Sequence, residues 1–259
     1  MKAYQMLVVC VLLGTAAMGQ ETSEVTEETL AGPKWEIGPE ISYFRYEEPG
    51  LMKDTGVLYG VAGAYTRCRP NRVFRVEGGF AFGEVDYEGS LSDDTPYTMQ
   101  GSHDYLLNLR LLWGRPWQTG DWDSQFYAGL GYRALNDDSS QDPSGYDRQS
   151  NYFYLPVGLK TYHELADHWQ IGLGGEFDVL LLGIQFSGIY DNGVLTSVQW
   201  PGFGARASVE LRHKVQSADL AIAPFVQYWW VDDSTVSPDG WYEPRNNSLQ
   251  YGLSLIWRF

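Results

Sequence analysis

From Trp35 onward the chain alternates apolar and polar residues with a period of two, over about ten segments. That period marks strands whose two faces meet different surroundings. In 103–113, "HDYLLNLRLLW", Tyr105, Leu107, Leu109, Leu111 and Trp113 share one face, and Asp104, Asn108 and Arg110 share the other. In 73–83, Phe74, Val76, Phe80 and Phe82 oppose Arg75, Glu77, Gly79, Ala81 and Gly83. Segments 125–133 and 203–212 repeat the pattern. The remaining candidates are 35–46, 57–68, 151–162, 169–181, 219–231 and 248–259. Short connections at 69–72, 114–123, 163–168 and 213–219 alternate with longer ones near 47–56, 84–102, 134–150, 182–201 and 232–247. That rhythm predicts consecutive antiparallel hairpins with one plain end and one elaborated end.

A soluble sandwich and a membrane barrel share this alternation, with their faces reversed. Sandwich strands average about five or six residues. The segments here run to about ten to thirteen, a rise of roughly 25–33 Å at a tilt near 40°, which matches a bilayer core. Their polar face mixes Gly with both signs of charge: Arg75, Glu77, Arg110, Lys160, Glu176, Asp178, Arg206, Glu210 and Arg212. Small residues and opposite charges suit a narrow, filled lumen in which each buried charge needs a partner. Trp35, Tyr43, Tyr65, Tyr105, Trp113, Tyr132, Trp169, Tyr228, Trp230 and Trp257 fall near strand ends, where a membrane barrel carries its aromatic girdles. A bilayer admits strands only as a closed sheet. The expected fold is therefore all-β: an antiparallel up-and-down transmembrane barrel of about ten strands, with eight as the alternative, over residues 34–259.

The last strand is the most regular. Leu249, Tyr251, Leu253, Leu255, Trp257 and Phe259 make an apolar stripe, and Ile256 interrupts the pattern as an apolar residue expected to face the lumen. With "YFYLPVGL" (152–159) and "PFVQYWWVDDS" (224–234), this stripe resembles the small single-chain bacterial outer-membrane β-barrel proteins, the porin-like or OmpA-like superfamily. The resemblance implies a location in the outer membrane of a Gram-negative bacterium. It also implies that Tyr251, Leu253, Leu255, Trp257 and Phe259 form the signal read by the outer-membrane assembly machinery. Closure predicts that this strand pairs with the first, near Trp35–Tyr46.

The N-terminus agrees with export. Lys2 and the short apolar run 6–18 read as a signal peptide cut after Gly19. Val8 and Val9 precede Cys10 where a lipoprotein signal needs small residues. Residues 20–33 are acidic and polar, a flexible leader. Cys68 is then the one remaining cysteine, so no internal disulfide is expected. The formal net charge of −15 argues against nucleic acid as a partner. The partners expected are the lipid bilayer and lipopolysaccharide, with a monomeric barrel.

Chemistry is sparse. Outer-membrane proteases are also ten-stranded barrels, with paired Asp residues and an Asp–His couple at the outer rim. Here His163, His168, His213 and the "DWD" at 121–123 fall in turns at the opposite end. His103 is at the rim, but Ser102 and Asp104 beside it point to the other face of a strand. No catalytic residue, cofactor or metal ligand is assigned. The acidic stretches 136–147 and 232–240 lack the spacing of a defined calcium loop, although carboxylates there are able to hold divalent ions. The apolar stretch 180–200 reads first as a strand extension above the membrane, with a patch that contacts a partner as the alternative. The expected role is structural or interactive, through the outer loops; the alternative is a narrow selective channel, and a rim hydrolase ranks last.

Overall fold

The structure, a computed structural model, describes residues 33–90, 95–142, 145–166, 168–189, 193–215, 218–237 and 240–259. The expected signal peptide and the leader to residue 32 lie outside these residues. The strands are β1 (Pro33–Glu48), β2 (Met52–Arg69), β3 (Arg72–Ser90), β4 (Pro96–Thr119), β5 (Trp122–Asp138), β6 (Asp147–Ala166), β7 (Trp169–Ile189), β8 (Gly193–Gln199), β9 (Gly202–His213), β10 (Asp219–Val231) and β11 (Asn246–Arg258). Neighbours in sequence pair antiparallel from β1 to β8 and from β9 to β11. β7 also pairs β9, and β11 returns to β1, so ten strands close and β8 is an eleventh, added one. The lower part of β7, 169–179, pairs β9, and the upper part, 183–189, pairs β8. β8 and β9 thus follow one another along the same side of β7, interrupted at Trp200 and Pro201. Proline has no N–H to carry a ladder onward.

Closure follows the predicted pairing of the last strand with the first: Tyr43 lies opposite Tyr251 and Ile41 opposite Leu253. The Trp35 and Phe259 backbones exchange two hydrogen bonds, of 2.8 and 3.0 Å. The chain end is thereby tied into the sheet. Tyr251, Leu253, Trp257 and Phe259 are exposed on the outer face and Leu255 half-exposed, while Ile256 lines the interior cavity.

The outer face carries an apolar belt, with Ile41, Val61, Phe80, Leu109, Leu130, Val157, Phe177 and Leu253 all exposed. Aromatics frame it. At the end where β1 begins and β11 finishes, Trp35 packs on Tyr65 (ring centroids 4.8 Å) and Phe74 on Trp113 (5.8 Å). At the other end Tyr43 meets Tyr251 (5.2 Å), Tyr132 meets Phe153 (5.0 Å) and Phe203 meets Trp230 (5.7 Å). Trp35 and Tyr43 stand eight residues apart on β1, a rise of roughly 20 Å at a barrel tilt. In barrels of this kind the end with the termini and short turns is periplasmic.

The strands exceed their expected lengths. β4 has 24 residues and β3 has 19. Segments expected as long loops, at 47–56, 84–102 and 134–150, prove to be largely strand. Above the girdle the outer face meets water, so its residues become polar (Glu84, Asp86, Gln149) and the apolar alternation that identifies a strand disappears. In the stretch 180–200, residues 180–189 and 193–199 are strand, the extension expected.

Inside, glycines make room for tyrosines on neighbouring strands. A Cβ at Gly131 would overlap the Tyr154 ring, and one at Gly158 the Tyr127 ring. These inward rings narrow the lumen.

Candidate functional site

Three layers of side chains occupy the lumen. The lowest, at the periplasmic end, is an ionic network. Arg75 donates to Glu36 (2.6 Å), Glu77 (2.5 Å) and Thr66 (2.6 Å). Arg258 donates from Nε to Glu36 (2.5 Å). Arg110 bridges Glu77 on β3 and Glu176 on β7, and Lys160 reaches Glu77 across the interior at 3.4 Å. Arg212 donates to Glu210 (2.8 Å) and Gln170 (2.7 Å), with its guanidinium over the Tyr162 ring. The expected lumen charges therefore converge, all but two of them into ion pairs. Arg206 lies over the Phe225 ring, 5.5 Å from its centroid, and forms no ion pair among the described residues. Asp178 is fully buried, and no donor reaches either oxygen among the described residues. Glu36 and Arg258 were readable as lumen residues, because each sits between two outward-facing apolar positions.

The middle layer is apolar and aromatic. Phe44, Leu58, Ala81, Val85, Leu106 and Leu135 pack together on one side. Opposite them are Tyr152, Tyr154, Leu180, Trp229 and Val231. Arg133, 2% exposed, lies near the Tyr152 and Trp229 rings and donates to Ser248 Oγ (3.3 Å) across the lumen. Tyr152 donates to Asn246 (3.1 Å), also from β6 to β11. Aromatic character alone did not mark these inward residues in the sequence; only their phase in the alternation separates them from lipid-facing ones.

The top layer lies above the outer girdle and is acidic. Arg148 contacts Glu48 (2.6 Å), Asp137 (2.8 Å) and Asp54 (3.5 Å), and its guanidinium faces the Tyr46 ring at 5.3 Å. Asp104, 3% exposed, and Glu243 are buried nearby with no cation of their own among the described residues. Burial, then the charge of Asp137, pushes Asp54 up to about 8. Burial and the same neighbour raise Asp104 well above the carboxylate range, and burial raises Glu243 to about 8, against the pull of Arg148. Arg148 stays charged despite its burial because Glu48 and Asp137 hold the proton on it.

Among the described residues the rim does not assemble a nucleophile and base. Ser102 points inward to the backbone oxygen of Asp138 (3.1 Å), whereas His103 is exposed and contacts Gln141. Asp104 points inward, away from His103. At the periplasmic end His163 stacks on Trp122 (4.8 Å) and His213 packs against Trp169 (4.6 Å). Among the described residues no three His, Cys, Asp or Glu side chains are grouped to hold a metal ion.

In sequence the chain matches no protein-family model and no curated protein. In fold it matches solved structures. The outer membrane protease OmpT from Escherichia coli superposes with a TM-score of 0.58 at 12% identity, over 89% of this chain and 98% of that one. The translocator domain of the autotransporter NalP from Neisseria meningitidis gives 0.39 at 12% identity, over 88% of this chain and 90% of that one. The Pseudomonas putida toluene transporter TodX gives 0.36 at 11% identity, over 88% and 89%. At these identities the likeness is one of fold. The fold is that of the small bacterial outer-membrane β-barrels, and it singles out no particular member.

Proposed function

We propose that this is an exported, integral outer-membrane protein whose barrel is a plugged scaffold. Its outer strand extensions and connections meet other molecules, and it performs no catalysis. One observation carries the reading: side chains link opposite walls of the lumen at several heights, through Arg110–Glu176, Arg133–Ser248, Tyr152–Asn246 and Arg148–Glu48. Below the middle layer a cavity of about 160 Å³ remains, lined by Glu40, Asn108, Lys160, Arg206 and Gln227 among others. The fully buried middle layer, including Phe44, Leu58 and Trp229, separates that cavity from the outer end.

Planar-bilayer recording tests this. The purified barrel is expected to give no defined single-channel steps. Reproducible steps that disappear when Arg110 or Arg206 is neutralised would establish the narrow-channel alternative instead. For export and membrane insertion, the unheated protein should migrate faster on a gel than the boiled protein. Recovery from the soluble fraction without that shift would refute the membrane reading.

A further inference from the structure

β8 stands outside the closed ring of ten strands. It pairs with residues 183–189 of β7, and its foot touches the β10–β11 connection through a bridge from Gln199 to Ser234. Among the described residues nothing pairs with the other edge of 193–198. Every second residue there turns its N–H and C=O away from β7. Natural edge strands are blunted by charge, proline or a bulge. The tip of β4 beyond His103, which pairs with β3 alone, follows that rule. It carries Pro96, Gly101 at φ 73° and a register shift opposite Val85–Tyr87. β8 does not follow it. Its sequence, "GVLTSVQ", holds no charge and no proline, is rich in strand formers, and pairs with β7 without a register shift.

This edge lies above the membrane. On β7, Val179 is level with Phe203 and Leu182 with Phe153, both in the outer girdle. β8 pairs only beyond that level, so Val194, opposite Gly188, stands roughly 15 Å above Leu182. Its outer face nevertheless stays apolar. Phe186 and Val198 are exposed, and Val194 and Trp200 are 67% and 66% exposed. Above the girdle on β3 the outer face is Glu84 and Asp86. Acyl chains end at the girdle, so lipid does not cover the β8 face.

A second copy in the same membrane does not fit the edge either. Antiparallel pairing of two β8 edges needs a two-fold axis perpendicular to the sheet, which turns one barrel upside down. Parallel pairing needs an axis along the strand, which tilts near 40° from the membrane normal and cannot relate two upright barrels. The remaining occupant of an unpaired main-chain edge is an extended segment of another polypeptide. Two carboxylates set its charge. Asp232 and Asp233, beside the foot of β8, accept backbone N–H groups at 3.0 and 2.6 Å and form no ion pair among the described residues.

We infer that the free edge of β8 docks an extended segment of another polypeptide outside the cell. The segment adds as a strand beside 193–198, sets apolar side chains against Val194 and Val198, and brings a Lys or Arg to Asp232 and Asp233. The inference rests on the scaffold reading and names the class of partner that its outer extensions meet.

The probe is a dye-labelled nine-residue peptide of alternating valine and threonine with a lysine at each end. It is titrated by fluorescence anisotropy into the full-length barrel in lipid nanodiscs. Saturable binding is expected, with slowed hydrogen exchange of the 193–198 amides. The same peptide methylated on its four central amide nitrogens should bind about tenfold more weakly or worse, having lost its main-chain donors. Val194→Lys with Val198→Lys should weaken binding several-fold, as should Asp232→Asn with Asp233→Asn, while the gel shift of the folded barrel persists. Absence of saturable binding, equal binding of the methylated peptide, or unchanged exchange at 193–198 would overturn the inference. If the peptide fails to bind a barrel that keeps its gel shift and gives no single-channel steps, this inference falls and the scaffold reading stands.

Discussion

The two ends of the lumen handle buried charge in opposite ways. At the periplasmic end Arg75, Arg110, Arg212 and Arg258 each meet at least one carboxylate, and Glu36 and Glu77 are shared between cations. At the outer end a single arginine, Arg148, stands among Glu48, Asp54 and Asp137, with Asp104 and Glu243 close by. The first arrangement offsets the desolvation of these four arginines with partners of opposite sign. The second cannot, so some of its carboxyl groups stay protonated well above their ordinary range. The lower layer is therefore an electrostatic clamp, and the upper one responds to pH.

The comparison is broken most severely by removing a central cation. Arg110→Ala leaves Glu77 and Glu176 buried without it and should cost about 3–5 kcal/mol in urea unfolding from vesicles. Arg148→Ala should cost a similar amount near pH 8, but progressively less toward pH 5, as Asp54 and Glu243 accept protons. Equal pH dependence in the two variants would erase the distinction. Reversing a lipid contact comes next. Leu109 is exposed in mid-belt, and Leu109→Arg should cost roughly 2–4 kcal/mol; unimpaired insertion would mean the faces are reversed.

A smaller effect follows from titration at the outer end. Asp54 and Glu243 are raised to about 8 in the folded barrel, above ordinary values of 3.8 and 4.5. The fold favours their neutral forms, so their contribution is most favourable below about pH 4 and is lost as pH rises toward 8. The wild-type outer end should therefore be more stable at pH 5 than at pH 8. Hydrogen exchange at 48–54 and 137–148 reads this locally, and Asp54→Asn should flatten the profile. The smallest effect is expected at Lys53–Glu88, an exposed pair at 2.8 Å on the outer surface. Lys53→Ala should change stability by less than about 1 kcal/mol. A larger loss would mean that the extended β2–β3 hairpin depends on its surface charges.

Residues such as Leu109, Phe80 and Leu253 were legible as lipid-facing because a bilayer rewards one chemistry along the whole of one face. Arg110 and Glu77 were placed in the lumen by the same alternation. The outer parts of β3, β4 and β5 were not legible as strands. Above the membrane both of their faces are polar, and the pattern carries no contrast there. Residue type did not distinguish Trp229, which plugs the lumen, from Trp230, which packs against Phe203 in the outer girdle. Both are aromatic, and only their phase against the ladder separates them.

The sequence by itself determined the period of the strands, the apolar outer face, the charged lumen and the pairing of the last strand with the first. These are local or nearest-neighbour properties, set by a two-residue repeat and by the need to leave no sheet edge in lipid. Only the tertiary structure decided which charges meet across the lumen. Arg148 and Glu48 are 100 residues apart in sequence, and Arg110 and Glu176 are 66 apart. Curling ten strands into a narrow ring places distant strands within side-chain reach. That reach depends on strand number and register, which no single segment of the chain contains.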